Sequence, residues 1–233
     1  MQLKNDHVVV SLALPHRDPN GRFRNPWPNA SPHGLRDFLK WVSRRRGARR
    51  SDPPAPAFPV APPSFTNPVA GADELTITWV GHSTFLLQIG SVNVLLDPIW
   101  SERASPVSFM GPRRVAPAGV QFESLPPIDV VLLSHDHYDH LDLATVRRIT
   151  RAHPAAEWIA PLEVGAWLRS HGARVMAELD WWRSVRTHSL DITCTPAQHF
   201  SGRRANNRDS TLWCGWTIRW GERAVFFAGD TGR

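Results

Sequence analysis

Four side chains able to bind a metal ion lie within six consecutive residues, and this density constrains the chain more than any other feature. They are His135, His137, Asp139 and His140. The apolar residues 130–133 precede them and predict a short buried strand, so the cluster begins where that strand ends. Titratable groups crowded in this way are costly unless a cation compensates them. The cluster therefore predicts a metal site, and its nitrogen and carboxylate donors suit zinc, with iron and manganese as alternatives.

Two further candidate ligands, His199 and Asp230, also follow predicted strands. Alone, His199 would more often be a hydrogen-bonded structural histidine, and an Asp before Thr-Gly is often simple turn chemistry. His199 becomes a candidate because His135 and His137 supply only two of the three nitrogens that a zinc site of this kind takes. If these strand ends converge on one sheet edge, two metal ions sharing Asp230 would lie about 3.5–4 Å apart.

The apolar patterning predicts a mixed α/β (α+β) domain with helices packed on sheets. Asp142 is a suitable N-cap for a helix over residues 143–152. An irregular, Pro- and Gly-rich surface stretch is expected between Asp97 and Pro127. A second helix is predicted over residues 162–170, and strands over 75–80, 84–89, 92–96, 157–160, 173–179, 191–195, 212–220 and 224–228, the first three as an antiparallel meander.

Basic residues are concentrated at the N-terminal end of the chain. Residues 1–70 hold 11 Lys and Arg and 4 Asp and Glu, whereas residues 71–233 hold 16 and 17. We predict a basic arm over residues 1–50, a proline-rich linker over residues 51–70, and a nearly neutral domain over residues 71–233. The start of the arm should lie on other parts of the protein, because Phe23 and Trp27 would otherwise be exposed.

Residues 35–46 have the pattern of a short, basic amphipathic helix. Such a helix could lie on an anionic membrane surface, or it could pack on its own domain with a solvated basic face. The near-neutral domain and the lack of a recognisable binding motif argue against a nucleic-acid partner.

The cysteine pattern and the N-terminal sequence predict a cytoplasmic protein, and a peripheral contact with the membrane is left open. Cys194 and Cys214 form no C-x-x-C pattern and do not suggest a disulfide framework. The first residues make a poor signal peptide, and the apolar residues 8–14 are too short to span a membrane.

The spacing His-x-His-x-Asp-His resembles the signature of the metallo-β-lactamase superfamily, and several further segments narrow the resemblance. Together they are similar to the N-acylphosphatidylethanolamine-hydrolysing phospholipase D family. The resemblance covers the chain from about residue 20 onward and is weakest across the proline-rich linker. Its segments are RFRNPW at 22–27, WVGHSTFL at 79–86, LDPIW at 96–100, the cluster at 135–140, PAQHFSGR at 196–203 and FFAGDTG at 226–232.

This resemblance implies an αββα sandwich and a zinc-dependent phosphodiesterase that cleaves a phospholipid by a metal-bound hydroxide. It implies that His135, His137 and His199 hold one zinc ion, that Asp139 and His140 hold the second, and that Asp230 bridges both. Asp139 or Asp230 would take or return a proton. His82 and Asp97 match family positions near the site, where we expect them to have structural or ligand-orienting roles.

Family members continue beyond the FFAGDTG segment and supply another histidine to the second zinc ion. We therefore expect a domain that contains most of the N-terminal half of the sandwich, lacks the C-terminal half, and has an incomplete second zinc site. Two alternatives remain open. One is another hydrolase of this fold acting on a soluble phosphodiester or a sugar-phosphate lactone, and the other is an inactive metal-binding fragment.

Overall fold

The computed structural model describes residues 16–27, 61–62, 65–107, 109–204 and 206–232. Within these residues the chain forms ten strands in two sheets, two α-helices and a short 3-10 helix. The α-helices are α1 Leu143–Ala152 and α2 Gly165–Ser170. The strands are β1 Leu75–Gly81, β2 Thr84–Ile89, β3 Val92–Leu96, β4 Val130–Leu132, β5 Glu157–Pro161, β6 Arg174–Leu179, β7 Ser184–Thr187, β8 Leu190–Thr195, β9 Gly215–Trp220 and β10 Arg223–Phe227.

The first sheet contains β1 to β6 in sequence order. Strands β1, β2 and β3 form the predicted antiparallel meander, and β3 to β6 run parallel to one another. Parallel neighbours need long connections, which α1 and α2 provide after β4 and β5. Because β4 is flanked on both sides and has packed layers on both faces, its residues are continuously apolar and buried.

The second sheet is antiparallel, with the order β10-β9-β8-β7. Successive side chains of each strand point alternately to the inner and the outer face of this sheet, as the two-residue period of a strand requires. Leu190, Ile192 and Cys194 of β8 are buried, whereas Asp191 is exposed. The outer face also exposes Phe226, at 63 %.

Two apolar cores hold these layers together. One lies between the two sheets and includes Leu96, Leu132, Ile192 and Trp216. The other lies between the first sheet and the helices, where α1 contributes Val146 and Ile149 at helical spacing, among others. The described part of the chain is therefore a three-layer α/β/β arrangement, which agrees with the predicted α+β class.

Several element bounds match the sequence predictions, and others need correction. Helix α1 and strands β2 and β3 have the predicted ends, and the Asp142 side chain accepts hydrogen bonds from the backbone N–H groups of Ala144 and Thr145. Helix α2 begins at Gly165 rather than at residue 162, because Glu163 adopts a left-handed φ of 69°. Strand β7 was not predicted at all.

The predicted strand over residues 212–220 is also too long. Strand β9 begins at Gly215, because the preceding backbone bonds elsewhere. The Leu212 N–H donates to the Leu162 carbonyl, and the Cys214 N–H donates to the Ser134 carbonyl. These two bonds join the segment before β9 to the loops that follow β4 and β5.

Part of the predicted arm packs on the domain. Phe23 is 2 % exposed in the core between the sheets, as expected, whereas Trp27 remains 46 % exposed. The predicted helix over residues 35–46 and most of the predicted linker lie outside the described residues. Among the residues that are described, no helix has the length and apolar character needed to cross a membrane.

Candidate metal centre

The candidate ligands come from four strand ends or turns that meet at one edge of the two sheets. His135 to His140 follow β4, and His82 lies in the turn between β1 and β2. His199 follows β8 and Asp230 follows β10. Strands β8 and β10 flank β9 and run in the same direction, so their C-terminal ends open toward the same side. The topology therefore brings together residues that are up to 148 positions apart in the sequence.

Three imidazoles form the first cluster. The distance from His135 Nε2 to His137 Nδ1 is 2.8 Å, and the distance from His137 Nδ1 to His199 Nε2 is 3.2 Å. His135 is 1 % exposed, and its other ring nitrogen lies 2.8 Å from the Ser134 hydroxyl oxygen. The three nitrogens thus converge on one point from two loops.

The second cluster lies beside the first. The Nε2 atom of His140 is 3.9 Å from Asp139 Oδ2, and His82 Nε2 is 3.1 Å from the same carboxylate oxygen. His140 is fully buried, whereas the side chains of His82 and Asp139 are 47 % and 39 % exposed. Within the described residues, His140 Nε2 makes no hydrogen bond of normal geometry. Its nearest acceptors are carboxylate oxygens of Asp230 at 3.4 Å and of Asp139 at 3.9 Å, an arrangement of donor atoms that suits a bound ion.

Asp230 lies between the two clusters and presents one carboxylate oxygen to each. Its Oδ1 atom is 3.4 Å from His140 Nε2, and its Oδ2 atom is 3.7 Å from His199 Nε2. The preceding Gly229 has a φ of 59°, and a Cβ atom there would lie 2.7 Å from Ser134 Cβ. Glycine at this position therefore lets the loop after β10 approach the loop after β4 closely enough to deliver Asp230.

Asp97 holds His140 and Ser134, which precedes His135, in place through buried hydrogen bonds. It is 0 % exposed at the end of β3, and its carboxylate accepts hydrogen bonds from the Ser134 N–H and from His140 Nδ1, both at 2.7 Å. The Ser134 hydroxyl donates to the same carboxylate. Asp97 thereby fixes the ring orientation of His140 so that Nε2 faces the cluster, the kind of support that metal-binding histidines commonly have.

At neutral pH, the imidazole nitrogens of the first cluster can donate electron pairs to a metal ion. Burial lowers the pKa of His135 well below the ordinary value, and neighbouring imidazoles lower it further. Burial and the nearby His199 lower the pKa of His137 to about 4. Burial also lowers the pKa of His199. These rings are therefore neutral at pH 7, the state that a metal ligand requires.

The second cluster has the opposite electrostatic character. Burial by itself would lower the pKa of His140, but the carboxylates of Asp97 and Asp230 outweigh it and raise the pKa to about 10. Burial would raise the pKa of Asp139, but the hydrogen bond with His82 and the charge of His140 hold it well below its usual range. The imidazole of His140 lowers the pKa of Asp230 against the effect of burial. Without a metal ion, the cluster holds a protonated His140 beside the ionised carboxylates of Asp139 and Asp230.

The spacing of the donor atoms fits metal ions. A four-coordinate zinc ion with bonds of about 2.0–2.1 Å keeps its ligand atoms roughly 3.3 Å apart. The neighbouring donor pairs described above are separated by 2.8 to 3.9 Å, which brackets that value. Among the residues that the structure describes, three groups have all of their donor atoms within 4.8 Å of one another: His135 with His137 and His199, His82 with Asp139 and His140, and Asp97 with His135 and His140. In the third group Asp97 is already engaged by Ser134, so the first two are the candidates for ion binding.

A large cleft opens beside the second cluster. Its volume is about 890 Å³, and His82, His137 and Asp139 line one of its walls. Two exposed side chains of β1 stand on another wall, Trp79 at 63 % and Ile77 at 53 % exposed. The remaining lining is mostly apolar and includes Ile99, Val115 and Pro117. A substrate bound at the clusters would therefore have an apolar surface next to it.

The structure brings together every site residue predicted from the sequence, gives one of them a different role, and adds Asn25. His82, which was expected only to support the site, has its Nε2 atom in one group of potential metal donors with Asp139 and His140. Its position at a hairpin turn on the same sheet edge could have indicated this. Asn25 contacts the backbone of His199 and was missed, because nothing in the local sequence shows that residues 174 positions apart are neighbours.

The sequence profile of the beta-lactamase superfamily domain matches residues 92–233. This range contains all six predicted ligands, from His135 to Asp230. The chain belongs to the metallo-β-lactamase superfamily. The two packed sheets with helices on one face agree with this fold, and the predicted fold class is confirmed.

Among curated relatives of this superfamily, the chain is 40 % identical over 226 residues to an uncharacterized protein of Mycobacterium tuberculosis (strain ATCC 25618 / H37Rv). That alignment covers 94 % of this chain and 60 % of the relative, so the chain spans about 60 % of the relative's length. It is also 38 % identical over 167 residues to the N-acyl-phosphatidylethanolamine-hydrolyzing phospholipase D 1 of Caenorhabditis elegans, covering 68 % of this chain and 47 % of that protein.

Among solved structures, the chain resembles CmlA, a diiron beta-hydroxylase from Streptomyces venezuelae. The TM-score is 0.51 at 27 % identity, and the match covers 68 % of this chain and 30 % of CmlA. Proteins similar to this chain thus include a diiron hydroxylase and a phospholipase D, which catalyse different reactions. Fold alone therefore does not identify the metal or the substrate of this chain.

Proposed function

We propose that the protein is a metal-dependent hydrolase whose two metal ions are held at the edge where the two sheets meet. The observation that carries this proposal is the convergence of seven side chains from four separate segments, among them a buried His140 whose Nε2 atom makes no hydrogen bond of normal geometry. A structural histidine cluster would be expected to pair its buried nitrogens with protein groups. Zinc suits the donor set, which combines imidazoles and carboxylates.

In this proposal the first ion is bound by His135, His137 and His199. Asp139 and His140 would hold the second ion, and His82 would supply a third donor to a site that the sequence leads us to expect incomplete. Asp230 would be shared by the two sites, because one of its carboxylate oxygens faces each cluster. Asp97 orients His140 without contacting an ion.

Divalent ions at these positions would lower the pKa of coordinated water and offset the charge of a phosphate group, which is the chemistry that phosphodiester hydrolysis needs. The chain's own groups supply the proton steps. Asp139 is ionised at neutral pH and partly exposed toward the cleft, so it can accept a proton from an incoming nucleophile and return one to the leaving group.

We further propose a phospholipid substrate of the N-acylphosphatidylethanolamine type, cleaved in the manner of a phospholipase D. Two observations support this choice. The cleft beside Asp139 is lined mainly by apolar side chains, which suits an acyl chain better than a sugar or a nucleotide. The chain is also 38 % identical to a Caenorhabditis elegans protein with that activity in its name.

The test is an assay of the metal-loaded protein on two substrates. One is N-acylphosphatidylethanolamine in mixed vesicles, with N-acylethanolamine and phosphatidic acid as products, and the other is the soluble bis(p-nitrophenyl) phosphate. We expect faster turnover of the vesicle substrate, and at least a hundredfold loss in His135→Ala, with His188→Asn in an exposed turn as the control. Preference for the soluble diester would support a different hydrolase of this fold. No turnover of either substrate by a protein carrying two metal ions would contradict the proposal.

A further inference from the structure

The N-terminal segment 16–27 is held on the domain by contacts that precede Asn25. Phe23 is buried in the core between the sheets, and its N–H donates to the Asp209 carbonyl at 2.8 Å. His16 pairs with Asp180 at 3.0 Å between Nε2 and Oδ1. The segment therefore has a fixed position on the domain, although it precedes the first strand by some fifty residues.

Both polar atoms of the Asn25 side-chain amide form hydrogen bonds with the backbone of His199, a residue of the candidate metal centre. The Nδ2 atom of Asn25 donates to the His199 carbonyl at 2.9 Å, and the Oδ1 atom accepts from the His199 N–H at 3.0 Å. The indole N–H of Trp213 also donates to Oδ1, at 3.2 Å. A primary amide has a donor and an acceptor side by side, so it can pair with both backbone groups of a single residue as a neighbouring strand would.

His199 depends on this pairing because it lies in the irregular segment after β8. Neighbouring residues are held by other contacts: the Gln198 N–H donates to Thr231 Oγ1, and the Gln198 carbonyl accepts from the Gly232 N–H. Among the described residues, the only hydrogen bonds found for the backbone of His199 are those with Asn25. The direction in which its imidazole points is therefore set by a side chain 174 positions earlier in the sequence.

We propose that Asn25 is a positioning residue of the metal centre and that segment 16–27 is part of that centre rather than a peripheral arm. The amide holds the His199 backbone so that Nε2 reaches the point shared with His137 Nδ1, 3.2 Å away. The proposal rests on the proposed metal site. It also implies reciprocity, since a segment that strengthens metal binding must itself be stabilised when the metal binds.

The main test compares Asn25→Asp with wild type in titrations of the metal-free protein with Co²⁺, followed by the visible absorption of the bound ion. Aspartate keeps the acceptor oxygen and the size of asparagine, but it loses the donor to the His199 carbonyl. We expect affinity at the three-histidine site to fall 10- to 100-fold, the usual effect of losing a group that orients a ligand, and the absorption bands to shift. Asn25→Ala should do the same.

The matched control is Ile149→Val, which loosens the packing of helix α1 in the other core and touches neither His199 nor segment 16–27. It should lower the thermal midpoint while leaving the Co²⁺ affinity and spectrum unchanged. Wild-type affinity and spectrum in both Asn25 variants would overturn the positioning role and leave the metal site intact. A wild-type protein that binds no Co²⁺ would overturn the metal site as well, so the two failures are distinguishable.

Hydrogen exchange of the wild-type protein gives a second test that needs no variant. Metal addition should slow exchange in segment 16–27 by at least tenfold, while β7, which carries none of the candidate ligands, should change much less. Equal exchange in the segment with and without metal would contradict the proposal.

Discussion

At the scale of single residues, the account depends on which atoms face the point between the clusters. The four ligands between His135 and His140 could be predicted because they lie close together in the sequence. His199 and Asp230 could be predicted because each follows a strand that the sequence indicates. The roles of His82 and Asn25 could not be predicted, because they arise from contacts between segments 57 and 174 positions apart. Local sequence contains no information on such contacts without the fold.

Replacing His82 tests whether the second ion uses it as a donor. In His82→Ala we expect one of two bound ions to be lost or bound about tenfold more weakly, because Asp139 loses its neighbour and the ion loses a nitrogen. The ion of the three-histidine site should keep its affinity. Competition with a chromophoric chelator measures both constants, and His188→Asn is the control. Unchanged binding of both ions would show that His82 only contacts Asp139.

The low pKa of His137 predicts the pH dependence of the metal-free protein. The folded-state pKa is about 4, against an ordinary value of 6.5. Between these pH values the unfolded chain takes up a proton that the folded chain does not, so acidification lowers the free energy of unfolding. The folded state keeps His140 protonated throughout this window, whereas the unfolded chain takes up that proton only near pH 6.5. His140 therefore stabilises the protein more at pH 5 than at pH 7 and offsets part of the loss. From pH 7 to pH 5 we expect a loss on the order of 2 kcal/mol from His137.

Urea unfolding of chelator-treated protein at the two pH values measures this loss. His137→Asn should show a smaller difference between pH 7 and pH 5, because the group responsible is gone. A wild-type protein that is equally stable at both pH values would contradict the pKa order described here.

At the scale of elements, the site requires loops that approach closely at one sheet edge. The bounds of β2, β3 and α1 were predictable because alternation, helical spacing and an N-cap act locally. Strand β7 could not be predicted, because its four residues include Arg186 and pair only with β8 in the described structure. The start of β9 could not be predicted either, because the backbone before it bonds to loops of the other sheet.

Gly229→Ala tests the close approach that delivers Asp230. The added Cβ would meet Ser134 at 2.7 Å and the Cys214 carbonyl at 2.9 Å, in addition to the strain of a positive φ. Gly221→Ala is a matched control, since its φ of 56° is similar and no atom lies within 4 Å of the added Cβ. We expect the control to cost about 1 kcal/mol and Gly229→Ala about 2 kcal/mol more.

The same pair of variants should separate in metal binding. Gly229→Ala should weaken both ions, because Asp230 faces both clusters, and Gly221→Ala should weaken neither. Equal unfolding free energies and equal metal affinities in the two variants would contradict the role assigned to Gly229.

At the scale of the whole molecule, the charge distribution predicts how the protein meets its substrate. The basic excess belongs to residues 1–70, and residues 35–46 carry much of it. If this stretch meets an anionic membrane, replacing Arg44, Arg45 and Arg46 by Glu should weaken binding to vesicles containing phosphatidylserine by at least tenfold, at about 1 kcal/mol per lost arginine. Neutral vesicles are the control, and unchanged sedimentation with anionic vesicles would contradict the membrane role.

The central claim is that the histidine and aspartate clusters form a two-metal centre, and metal content tests it most directly. The measurement is elemental analysis of the purified, monodisperse protein after incubation with excess zinc and removal of unbound ions. The account predicts about two zinc ions per chain in the wild type and a clear loss in His135→Ala. A folded, monodisperse wild-type chain that retains no metal ion would contradict it.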